Sequence, residues 1–240
     1  MIKFFRKIRQ NLLMENKTGK YFKYAIGEII LVVIGILIAL QINNWNEERK
    51  DKNLKQTFLI KLKSNLQDDI LKFNDVSDSN EKYIMRIDSA MHILKNHKHY
   101  KTTDLQKHLK FLIYSSRFNT NRIAFDNLLS LGKINVIDND SITERLFAYY
   151  RNIQNNKEAV TEGMDAYNRN TFGPALLEFD FLNSSETFIP RDLTAYVKNP
   201  FIINSLELKK QMLNYFYKQN QGQKSNALGI VKLIDEELKK

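Results

Sequence analysis

A chain of 240 residues with 37 Lys and Arg against 27 Asp and Glu, net +10, has the overall charge of a nucleic-acid binder. The distribution removes that reading: residues 1–24 hold seven basic side chains and one acidic, while the remainder share 30 basic and 26 acidic, so nucleic acid is not an expected partner. The absence of cysteine excludes disulfides, thiolate nucleophiles and Cys-ligated zinc or iron–sulfur centres, and three prolines with eight glycines favour long helices over a turn-rich β fold.

The chain opens on an amphipathic stretch. Met1, Phe4, Phe5, Ile8 and Leu12 recur at helical spacing, with Lys3, Arg6 and Lys7 on other faces. With Arg9 these cations form a membrane-surface set, suited to anionic lipid at about 1 kcal/mol each. A charged leader of no fixed structure fits the same residues.

Ala25 to Ile42, AIGEIILVVIGILIALQI, is almost unbroken apolar sequence. From Tyr24 to Trp45 a helix covers about 31 Å, one hydrocarbon core, with aromatic rings for the headgroup region at each end. Cleavage after Ala39 would place Leu37 where a small residue is needed, so an uncleaved signal anchor is expected. Lys and Arg dominate the N-terminal flank, which predicts an N-terminus in the cytoplasm and a periplasmic C-terminal domain on the inner membrane. The expected organisation is a basic amphipathic leader at 1–24, a single transmembrane helix at 25–42 and a helical extracytoplasmic domain at 43–240. Within the span, Glu28, Val32, Gly35, Ala39 and Ile42 share one stripe. Gly35 and Ala39 form a small-xxx-small pair that permits close helix approach, and Glu28 is either interfacial or a contact to another helix.

The run GKYFKYAIGEIILVVIGILIALQINNWNEERK resembles the N-terminal signature of a family of small Bacteroidetes membrane proteins, a domain-of-unknown-function family. The later LGKINVIDNDSITERLFAYY is similar to that family's middle segment. The resemblance implies a single-pass inner-membrane protein with a helical periplasmic domain, and it brings no activity with it.

Beyond the span, Asn43 to Phe73 predicts a helix with Leu54, Phe58, Leu62, Leu66, Ile70 and Phe73 on one stripe. A second helix is expected from about Ser77 to Asn96, with Tyr83, Ile84, Ile87, Met91 and Leu94 inward. Thr103 and Gln106 predict a capped third, bearing Leu105, Leu109, Leu112 and Ile113. Asn121 to Leu131 predicts a short helix stopped by Gly132, then an extended link over Ile134 to Asp140. Ser141 and Glu144 predict a capping box opening a helix to about Asn170, broken by Gly173-Pro174. Thr171 to Pro200, including Asn183-Ser184-Ser185, predicts a loop with short helical pieces. Asn204 to Leu238 predicts a closing helix with Leu206, Leu213, Phe216, Leu228, Val231, Ile234 and Leu238 along it, and possible kinks at Gly222 and Gly229. The fold class expected is all-α, an N-terminal single transmembrane helix continuing into an antiparallel helical bundle of about four to six helices.

Few constellations suggest chemistry. His92, His97, His99 and His108 crowd one helix end without supporting carboxylates, which reads as a solvated end and not a metal centre. Asp138, Asp140 and Glu144 lack the spacing and central glycine of a calcium loop. In Tyr149-Tyr150-Arg151 and Tyr215-Phe216-Tyr217, adjacent rings point to different faces, so at least one ring of each set is expected at the surface; core packing is the main reading of both sets, with an exposed partner-binding edge as the alternative. No phosphate loop, nucleophile elbow or metalloprotease helix is present, so neither a catalytic residue nor a cofactor is assigned. The function expected is a membrane-anchored interaction module binding a protein partner or itself, with the lipid bilayer as its other partner. The alternatives are a small-molecule sensor acting through a partner, since about 24 cytoplasmic residues are too few for an output domain, and an enzyme working near the membrane.

Overall fold

The computed structural model describes residues 18–177 and 191–240. The amphipathic stretch from Met1 to Leu13, with Lys3, Arg6, Lys7 and Arg9, lies outside the described residues, as do Asn183-Ser184-Ser185. The described residues are helical with no strand, and the chain divides into two compact units, Met1–Lys55 and Gln56–Lys240.

The first helix, α1, is Thr18–Lys95. No break separates Phe73 from Ser77, where two helices were expected: Asn74, Asp75 and Val76 include neither Pro nor Gly, and Phe73, Val76 and Ser77 are all buried. In the first unit, the apolar side chains from Ile26 to Ile42 stand exposed. It is the one described segment long and apolar enough to cross a membrane, and none of it is buried.

In the second unit, α2 (Thr102–Leu109) follows a 3₁₀ turn at His97–His99. Its N-cap is Lys101, not Thr103, and the Asp104 carboxylate accepts the Lys101 backbone N–H at 3.1 Å. Thr102 is buried, its hydroxyl donating to the Arg191 carbonyl at 2.6 Å. α2 stops at Leu109; Leu112 is buried in line with the expected stripe, while Ile113 is exposed, against it. α3 (Ile123–Ser130) ends as expected at Gly132, whose φ of 63° is open to glycine at little cost. The link after it carries a 3₁₀ turn at Ile134–Val136 where a wholly extended link was expected, and buries Ile137.

α4 (Asp140–Asn156) begins one cap earlier than expected: the Asn139 side chain, not Ser141, accepts the Ile142 N–H at 3.3 Å. The helical path then passes through a π turn (Lys157–Glu162), α5 (Gly163–Tyr167), a second π turn (Asn168–Phe172) and α6 (Gly173–Leu177). Gly173-Pro174 therefore does not break it. Pro174 has no N–H to donate, and the wider turn immediately before it absorbs the change of register. A side chain at 173 is barred, since a Cβ there would lie 2.7 Å from the Asn168 carbonyl oxygen.

α7 (Leu193–Val197) starts at Asp192, whose carboxylate accepts the Thr194 N–H at 2.7 Å. α8 (Pro200–Glu237) starts four residues before the expected Asn204, with Asn199 as cap and Pro200 in the first turn, and runs through Gly222 and Gly229 unbroken. Its buried face is Ile202, Leu206, Lys209, Leu213, Phe216, Ala227, Ile230 and Ile234; Leu228 is exposed.

The bundle is antiparallel by its own cross-links. Lys63 pairs with Asp235 at 2.6 Å, Gln221 with Ser77 at 3.2 Å and Lys210 with Asp88 at 2.5 Å, so α8 runs back along α1. Asn139 meets Glu237 at 2.9 Å and Gly229 lies against Arg145, so α8 is also antiparallel to α4. Leu94, Leu105, Leu109, Met164, Phe172, Tyr196 and Leu206 bring α1, α2, α5, the second π turn, α7 and α8 into one core cluster.

Candidate functional site

Three places in the molecule combine unusual chemistry with defined geometry. On α1, Gly35 has no atom within 4 Å of where a Cβ would stand, and Ala39 is exposed one turn later. Glu28 is half-buried on the same stripe. Val32 and Ile42 complete it, both exposed. The expected contact candidates therefore share an open helix face.

The second place is Asp69, fully buried in α1. Its carboxylate accepts from the Asn121 backbone N–H at 2.7 Å, the Thr120 hydroxyl and the Tyr149 hydroxyl at 3.0 Å. Lys72 stands 3.9 Å away. A buried carboxylate with three donors is satisfied, and it pins the start of α3 and the middle of α4 to α1. Burial first, then the neighbouring Asp69 charge, push the Tyr149 phenol well above its ordinary range. Both Tyr149 and Tyr150 are buried, contrary to the expectation of an exposed ring in this set. Tyr149 faces α1, while Tyr150 stacks on Phe125 of α3 at 4.6 Å, so two neighbouring elements cover the two directions. In the other set Tyr215 is exposed as expected.

The third is Lys209 on α8, at 0% exposure. Its Nζ donates to the Asn168 side-chain oxygen and to Met164 Sδ at 3.3 Å, and lies 5.2 Å from the centre of the Phe172 ring. Burial pushes its pKa down to about 7, with Asp165 pulling weakly the other way. Asn168 also lines an open groove of about 550 Å³ with Tyr114, Ser115, Arg117, Asp165 and Arg169. There Asp165 accepts from Arg117 at 2.9 Å and from Ser115 at 3.1 Å. A lysine near pH 7 is a base or nucleophile in principle, but this amine faces Met164 and Phe172, and no solvent touches it.

The histidines do not converge. His92 and His99 are exposed, His92 lies edge-on to Tyr100 at 5.9 Å, and the Nδ1 of His97 is buried without a partner. Among the described residues no group of three or more His, Cys, Asp or Glu has the geometry of a metal centre. Asp138, Asp140 and Glu144 are all exposed. Lys209 and Asp69 were not singled out from the sequence, where each stands among similar polar residues on an amphipathic helix. The signal available was a charge at a core position of the stripe, as Lys209 lies three residues after Leu206 and four before Leu213.

The chain matches DUF6090, a family of unknown function, over residues 28–166. It belongs to that family. The matched stretch takes in Glu28, Gly35, Ala39 and Asp69, and ends before Asn168 and Lys209. No curated protein and no solved structure matches the chain.

Proposed function

We propose that this protein is a single-pass inner-membrane protein whose helical domain lies in the periplasm and works as an interaction module, binding a protein partner or a second copy of itself. The observation that carries the reading is the exposed apolar run from Ile26 to Ile42. Side chains such as Ile29, Leu31, Leu37 and Leu40 have no core to enter, and water is a poor environment for a continuous apolar surface of this length. Phe22 and Trp45, both exposed, suit the two interfaces. The Lys and Arg excess before the span supports a cytoplasmic N-terminus. Open small residues at Gly35 and Ala39 support helix association in lipid.

The test is crosslinking in intact membranes followed by pull-down of the full-length protein and mass spectrometry. One recurrent membrane partner identifies an accessory subunit, and self-crosslinks alone identify a homo-oligomer. A protein that yields no crosslink of either kind is not an interaction module. Where a homo-oligomer is found, Gly35→Ile is expected to weaken it in detergent. An unchanged oligomer would place the contact elsewhere.

A further inference from the structure

A cavity of about 50 Å³ lies within the second unit, between α1, α4, the first π turn and α8. Its wall has two parts of different chemistry. Phe73 and Phe118, with ring centroids 4.0 Å apart and planes 8° from parallel, join Phe216 and Ile153 as an apolar face. The remainder is dominated by carboxamides: Asn80 from α1, Asn156 from α4, and Gln219, Asn220 and Gln223 from α8.

The carboxamides are not engaged with one another. Asn80 is only 2% exposed and lines the cavity, and its amide is not sealed away unbonded: among the described residues that holds only for His97 Nδ1. Gln223, also buried, receives one long contact of 3.5 Å from Asn226, which leaves its amide nitrogen available. Carboxamides that line a cavity without bonding to one another leave donors and acceptors for whatever occupies it. The cavity also borders Lys157 and Thr161 of a π turn, a distortion that recurs at functional sites.

We infer that this cavity binds a small, uncharged, planar heterocycle bearing a lactam-type edge, held flat against the Phe73 and Phe118 side and read by the Asn80 and Gln223 amides. Size, charge and edge chemistry each narrow the class. At about 10–15 Å³ of accessible volume per water, the space holds roughly three to five waters, the size of a single six-membered ring. Among the described residues Lys157 is the one charged group in the lining. A carboxamide presents a donor and an acceptor side by side, the complement of an N–H next to a C=O on a ring, and such pairing is bidentate. Aromatic faces favour a π ring over a hydrocarbon chain. The inference depends on neither the orientation of the anchor nor the interaction role proposed above.

The test is calorimetric titration of the detergent-solubilised full-length protein with uracil and, in parallel, with glucose, a larger six-membered ring that carries hydroxyls and no π face. Uracil is expected to bind and to raise the thermal midpoint, with Asn80→Leu weakening it about tenfold, the worth of one hydrogen-bonded amide. Circular dichroism of each variant reports its fold. Should Asn80→Leu not fold, Gln219→Ala at the half-buried edge of the cavity provides the same reading. Binding of glucose but not uracil would overturn the assigned class. No binding of uracil, or binding that neither variant weakens, would overturn the site.

Discussion

At Lys209 a side chain that carries a charge in water is held at 0% exposure between Met164, Asn168 and Phe172. Its pKa is about 7 in the fold and 10.5 in an ordinary setting. Between those values the unfolded chain holds the extra proton, so stability rises with pH across that window. Below pH 7 the penalty has reached its full size, on the order of 5 kcal/mol. Asp165 is the ionised group facing the amine, and its own pairing with Arg117 limits what it offers. Lys209→Met keeps the length and removes the charge. It is expected to stabilise the domain at neutral pH by about 1–4 kcal/mol and to flatten the rise between pH 7 and 10.5 relative to the parent chain. Denaturant unfolding over that pH range checks both. A variant less stable at pH 7, with the slope intact, would mean that the amine is not the titrating group.

At the scale of the element, the end of α3 is a Schellman motif: the Gly132 N–H donates to the Leu129 carbonyl at 3.0 Å and the Lys133 N–H to the Leu128 carbonyl at 3.1 Å. Gly132 has φ 63° and open space where a Cβ would stand, so a substitution meets a backbone cost without a steric one. Gly132→Ala is expected to cost about 1 kcal/mol. Gly222 also has open space but lies inside α8, and Gly222→Ala is expected to gain about 0.5–1 kcal/mol. Opposite shifts of the denaturation midpoint confirm the two roles, and shifts of the same sign would refute the left-handed assignment. The second π turn belongs to the same scale. It carries the helical path past Pro174 and sets Asn168 where one side chain reaches both Lys209 and the groove.

At the scale of the molecule, the cysteine-free chain permits a direct reading of topology. Ser141, exposed at the start of α4, tolerates Cys without disturbing the Asn139 cap. The proposed orientation predicts that Ser141→Cys in whole cells with a permeabilised outer membrane reacts with a membrane-impermeant maleimide. Labelling only after the inner membrane is broken would invert the orientation.

Much of this molecule was legible in one dimension because its information is local. The run from Ala25 to Ile42 is apolar but for Glu28 and Gln41, and helix periodicity placed Leu62, Leu66, Ile87, Leu105, Leu206 and Ile234 inside from their spacing alone. Gly132 was readable as a stop because its backbone requirement does not depend on distant residues. What tertiary structure decided depends on which partner lies opposite. Asp69 is an ordinary acidic residue on a helix until Thr120, Asn121 and Tyr149 arrive with three donors. Lys209 is an ordinary lysine until Phe172 and Met164 close over it. The five carboxamides of the inner cavity come from three separate stretches of chain, and no period links them. Burial and hydrogen bonding across long sequence separations are properties of the packed bundle. The sequence by itself determined the all-helical class and the apolar run; the packing of α1, α4 and α8 decided which polar side chains lost their water.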